Sequence, residues 1–87
     1  MRTQLELWKV VKDNFDEYFD EGLCITLYKM QGNVIALEEK NLLIKELKNY
    51  GNTACFFLGE RRDSKPRLEF IDKMIKKHSE NAITENK

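Results

Sequence analysis

Leu5, Trp8, Val11, Phe15 and Tyr18 recur at the spacing of a single helix face, and that stripe constrains the fold more than any other part of the chain. Thr3 followed by Glu6 forms a capping box, in which each side chain satisfies a backbone donor of the other residue. A helix is therefore expected from Thr3 to Phe19. With 87 residues in all, the chain buries roughly 60–65% of the surface its unfolded form exposes. One domain is all that this length supports, and it has little core to spare. Small domains often gain missing core by oligomerising, so a homo-oligomer is among the expectations.

The remaining elements follow from breakers and periodicity. Gly22 is expected to end the first helix as a left-handed residue. Leu23–Met30 is apolar on most sides, and its length suits a buried two-turn helix or a strand. Leu23, Leu27 and Met30 share a face, which favours the helix, while Ile25-Thr26 keeps the strand open. Gly32-Asn33 marks a turn. Leu37–Tyr50 reads as a helix with Leu43, Leu47 and Tyr50 on one face, broadened by Leu42 and Ile44. Thr53–Leu58, bracketed by Gly51 and Gly59, reads as a strand or extended piece. A last helix begins near Ser64 or Lys65 with Pro66 in its first turn, and Leu68, Ile71 and Ile75 face inward. The fold class is mainly α with a short β or extended segment, a small α+β fold of three to four helices around one core. Residues 1–78 form a single helical domain, and 79–87, which lose periodicity, form a flexible tail.

Charge excludes several functions and points to one region. The chain carries 15 basic and 15 acidic residues, unevenly distributed. Residues 1–58 hold seven cations against nine anions, while 59–77 hold seven cations against four anions. A duplex DNA binder needs a larger basic excess, because its affinity comes from neutralised phosphates, so nucleic acid is disfavoured as a partner. The N-terminus is charged, without the apolar run of a signal peptide, and no stretch approaches the ~20 apolar residues of a membrane span. Cys24 and Cys55 show no metal-ligand spacing, and with His78 they are too few for a zinc site. Both thiols are expected to be reduced and buried in a cytoplasmic protein. No acid–base set or nucleophile motif marks an enzyme, and no cofactor motif is present.

The region of interest is Phe56–Arg67. An apolar run stops at Gly59, gives way to Arg61, Arg62, Lys65 and Arg67, and restarts as a helix at Pro66. Backbone N–H groups at a helix start and arginine forks together suit an anion. Arg67 lies in the first turn of its helix, where a cation opposes the dipole and needs another reason to be present. Phe56 and Phe57 are adjacent, so in an extended segment they point to opposite faces and one leaves the core. Phe57 and Trp8 are the candidate stacking residues for a base, and Arg61, Arg62, Lys65 and Arg67 the candidate phosphate ligands. The bland alternative is core filling by the aromatics, with the cations paired to the acidic end of the first helix. That end, Asp13, Asp16, Glu17 and Asp20, is itself a candidate surface for a basic partner. It lacks the alternating oxygens and glycine of a calcium loop, so no metal site is expected there.

Gly22-Leu23-Cys24 after an amphipathic helix resembles a group of short tailed-phage proteins, especially from phages of the Bacteroidetes. So does the later order of aromatic segment, glycine, basic turn and Pro66-Arg67-Leu68-Glu69-Phe70-Ile71-Asp72-Lys73. The resemblance spans residues 3–77, although the tryptophan and proline that related sequences carry near Phe57-Leu58-Gly59 are missing. It implies a phage protein acting inside the bacterial cell, and small phage proteins of this kind include anti-defence sponges. Such sponges are oligomers that sequester nucleotide-derived immune signals in basic, aromatic pockets. Sequestration of a small anionic, nucleotide-like ligand is thus the first expectation. A protein–protein inhibitor or adaptor that covers a host or phage enzyme with its acidic helix end is the alternative.

Overall fold

The computed structural model describes residues 2–20, 22–50 and 65–85. Within them run five helices: α1 (Gln4–Asp13), α2 (Phe15–Tyr18), α3 (Leu23–Met30), α4 (Leu37–Lys48) and α5 (Lys65–Glu85). The fold is mainly helical. Among the described residues the only β-type pairing is an isolated bridge between Gln31 and Ile35. The expected strand at Thr53–Leu58 lies outside them.

Thr3 caps α1 as the sequence demands. Its hydroxyl accepts from the Glu6 N–H at 3.1 Å, and the Glu6 carboxylate accepts from the Thr3 N–H at 3.1 Å. The bond from the Thr3 N–H, and then one from the Thr3 hydroxyl to the same carboxylate at 3.0 Å, hold the Glu6 carboxyl below its ordinary range. The single helix expected from Thr3 to Phe19 is instead broken at Asn14. There the amide side chain donates to the Val10 carbonyl at 2.8 Å, in competition with the backbone ladder. Phe15, the first residue of α2, is buried in the core, its ring 5.4 Å from that of Phe19.

Segment 22–30 is a helix. Gly22 is not the left-handed terminator we expected: its φ of −118° is extended, and it is the N-cap of α3. Thr26, fully buried, fixes this corner by donating to the Gly22 carbonyl and accepting from the Asp20 N–H, each at 3.1 Å. The positive-φ glycine is Gly32, at φ 82°, in the turn between α3 and α4. α5 runs on to Glu85, through most of the segment expected to be a tail, because Glu80, Asn81 and Ala82 tolerate helix even without an apolar stripe.

α1 lies along α5, α3 packs on α4, and α1 also meets α4. Their shared core contains Leu7, Trp8 and Val11 from α1, Leu27 and Met30 from α3, Leu43 and Leu47 from α4, and Ile71 and Met74 from α5. Cys24 is buried and disulfide-bonded, its bonding partner falling outside the described residues. This corrects the expectation of a reduced thiol, since the distance in sequence between two cysteines says nothing about their distance in space. It also removes the redox argument for a cytoplasmic location. No helix among the described residues is long and apolar enough to cross a membrane.

In urea unfolding, Leu7→Ala is expected to cost about 2–5 kcal/mol, because its site is fully enclosed between helices. Thr3→Ala is expected to cost about 1 kcal/mol through the lost cap. A Leu7→Ala loss smaller than that of Thr3→Ala would contradict this packing.

Candidate functional site

Of the residues picked out for an anion pocket, Arg61, Arg62 and Phe57 lie outside the described residues, as does the side chain of Lys65. The other two are in the interior. Trp8 is fully buried and packs edge-on to Phe70 at 6.4 Å. Arg67 is 1% exposed, and its guanidinium sits 5.4 Å from the Phe19 ring centroid. The structure therefore turns both inward. The Phe19 ring is one of the groups that cover Arg67 near the positive end of α5, a packing role open to a flat, weakly hydrated cation.

The acidic end of the first helical segment is arranged differently. Asp13, Asp16 and Glu17 are exposed, and none forms an ion pair among the described residues. Asp20 does not stand with them, being bridged to Lys29 at 2.5 Å. Lys12, the cation within this acidic run, is committed to Asp72 of α5 at 2.7 Å.

Trp8 brings together a polar cluster that sequence reasoning missed. Its indole N–H donates to Glu46 Oε1 at 2.6 Å. His78 Nε2 faces both oxygens of the same carboxylate, at 3.0 and 2.8 Å, which places a proton on that nitrogen whenever Glu46 is ionised. Lys77 approaches Glu46 at 3.5 Å and donates to the Tyr50 hydroxyl at 3.0 Å. These contacts, the Tyr50 hydrogen bond foremost, raise the Lys77 pKa above its ordinary value, so it stays cationic. Lys73 and Lys77 both lie 5.3 Å from the Tyr50 ring centroid, and Tyr50 meets Phe70 edge-on at 5.5 Å. One buried carboxylate thus joins α1, α4 and α5. Its sequence signal was present: position 46 falls on the face of Leu43, Leu47 and Tyr50, where an apolar residue is the default.

A second missed pair fastens the N-terminus. Arg2 reaches Glu39 through Nε at 3.0 Å and Nη2 at 2.9 Å, and Nη2 also donates to the Val34 carbonyl at 2.8 Å. Glu39 accepts the Ala36 N–H at 2.9 Å as well, closing the start of α4. The Arg2 hydrogen bonds, and then the Ala36 bond, pull the Glu39 carboxyl down to about 2 against the desolvation that opposes them. The same pair raises the pKa of Arg2. Among the described residues no group of three or more His, Cys, Asp or Glu is placed to hold a metal ion.

Compared with protein-family models, curated proteins and solved structures, the chain matches none.

The lowered Glu39 pKa sets a pH dependence. Its stabilisation is fully present above about 4.5 and is lost as pH falls toward about 2. The loss is at most about 3 kcal/mol, less because the Arg2 side chain is 38% exposed. Urea unfolding between pH 6 and pH 2 is expected to show that loss in the native chain and a shallower one in Glu39→Gln. Parallel curves would remove Glu39 as the cause.

Glu46→Ala is expected to destabilise by about 2–5 kcal/mol, since two buried donors lose their acceptor. Trp8 is the only tryptophan, so its fluorescence reports on the cluster directly. Glu46→Gln is expected to cost less, because an amide oxygen still accepts from the indole. Equal losses for the two variants would argue against this bonding.

Proposed function

We propose that this is a small phage-encoded binding protein, without catalytic activity, that covers a basic surface on a host or phage enzyme with the acidic patch of Asp13, Asp16 and Glu17. The observation that carries the reading is the state of the carboxylates. Glu39, Glu46, Asp20 and Asp72 each engage a cation of the fold; these three, like Glu38 and Glu69, stand exposed without an ion-pair partner among the described residues, and they alone are gathered within five positions. Three like charges within five residues repel one another, and Asp13 sits at the negative end of α1. Such exposed, closely spaced charges suit the steering and docking of a cationic partner. The phage setting and the bacterial cytosol as its location rest on the sequence resemblance alone.

A second reading keeps the sequestration of a nucleotide-derived immune signal, in a homo-oligomer. Its support is the Tyr50 ring with Lys73 and Lys77 beside it, since Tyr50 directly precedes the 51–64 segment that holds Phe57, Arg61 and Arg62. Trp8 and Arg67 play no part in it as ligand contacts.

One experiment separates the two. The tagged chain is used to capture partners from host cells, and the eluate is measured by native mass spectrometry for protein and small-molecule content. The first reading expects a protein complex that the Asp13→Lys, Asp16→Lys, Glu17→Lys triple variant loses, with folding stability changed by no more than about 0.5 kcal/mol per position. Retention of that complex by the triple variant would defeat it. The second expects a co-purifying nucleotide, a multimeric mass, and loss of the nucleotide in Arg61→Ala and Lys77→Ala.

A further inference from the structure

Lys40 is the cation of this fold whose position is hardest to account for. It is 5% exposed, on the second turn of α4, although lysine is rarely buried without an anion beside it. Its neighbours on the helix do not supply one, because Glu39 is held by Arg2. Among the described residues Lys40 makes no hydrogen bond or ion pair, and its ammonium lies 4.1 Å from the centroid of the Tyr28 ring on α3. The ammonium is covered by the ring of Tyr28, a residue that is itself 58% exposed.

Around this covered cation lie the three large apolar side chains that the described residues leave most open. These are Tyr28, Leu37 at 53% and Ile25 at 40%. Leu37 precedes Lys40 by three residues on α4, and Ile25 precedes Tyr28 by three on α3, so each pair shares a helix face. The packing of α3 on α4 and the Lys40–Tyr28 contact bring the two faces together. Of the three exposed positions of α3, only Lys29 is charged, and it is bridged to Asp20.

We propose that Lys40, Tyr28, Ile25 and Leu37 form a docking site for an acidic segment of a partner protein, in which a carboxylate flanked by apolar side chains meets the Lys40 ammonium. Charge complementarity selects this occupant. A purely apolar guest would leave the buried cation without its anion, and a free small anion would leave the apolar rim uncovered. The site is separate from the acidic patch and independent of the function assigned to that patch. It gives the protein a second face of opposite charge preference.

The test uses the full chain, isotope-labelled for NMR, and a blocked five-residue peptide alternating leucine with aspartate and glutamate. A matched peptide carries asparagine and glutamine in place of the acids. The acidic peptide is expected to shift amides of α3 and the first turns of α4, and the matched peptide to bind about tenfold more weakly or not at all. Lys40→Met, which keeps the buried stem and removes the charge, is expected to reduce the difference between the peptides to nearly nothing. Should that variant fail to fold, Leu37→Glu at an exposed position is expected to abolish binding without changing the melting temperature. Equal binding of the two peptides, or shifts confined to other helices, would overturn the site. So would sedimentation showing that the chain alone self-associates through this face.

Discussion

The Glu46 carboxylate is the interaction on which the tertiary arrangement depends. It sits on the core face of α4, accepts the Trp8 indole N–H from α1 and receives His78 from α5. Apolar packing among Leu7, Leu43, Ile71 and Met74 is nondirectional and tolerates sliding of one helix along another. A buried acceptor with two directional donors does not tolerate it, because any slip leaves a desolvated group unpaired. In a chain with so small a core, that requirement fixes the register of three helices.

Arg2 and Glu39 apply the same logic at the other end of α4. The guanidinium binds the carboxylate through two nitrogens and the Val34 carbonyl besides, tying the chain's beginning to the turn between α3 and α4. Glu39 at the same time satisfies the Ala36 N–H, so a single carboxylate starts a helix and anchors a terminus. Both buried glutamates therefore spend their charge inside the fold, and what remains outside gains meaning by contrast.

Two features outside those pairs stand out among the described residues. Asp13, Asp16 and Glu17 gather without ion-pair partners where α1 gives way to α2, and Lys40 lies against the Tyr28 ring between α3 and α4. Of the cations around Pro66, Arg67 is turned inward, with the Phe19 ring beside it. A cation in a first turn signalled an unusual environment, and the structure places it in the interior with an aromatic ring beside it.

Periodicity and capping mark α1, α4 and α5, and leave Leu23–Met30 open between helix and strand. Thr3 and Glu6 start α1 through contacts three residues apart, and Leu43, Leu47 and Tyr50 set the inward face of α4 by local spacing alone. Local rules overshot at Asn14, where a side-chain bond to Val10 breaks a helix whose apolar stripe runs on unbroken, and at Gly22, which opens α3 instead of closing the helix before it. They stopped short at His78, since α5 continues to Glu85. The candidate site was the least legible part. The burial of Trp8 and Arg67, and the sharing of Glu46 by Trp8 and His78, join groups distant in the chain. Sequence fixes what each residue can bond to, whereas only the packing of helices decides which partners come within reach.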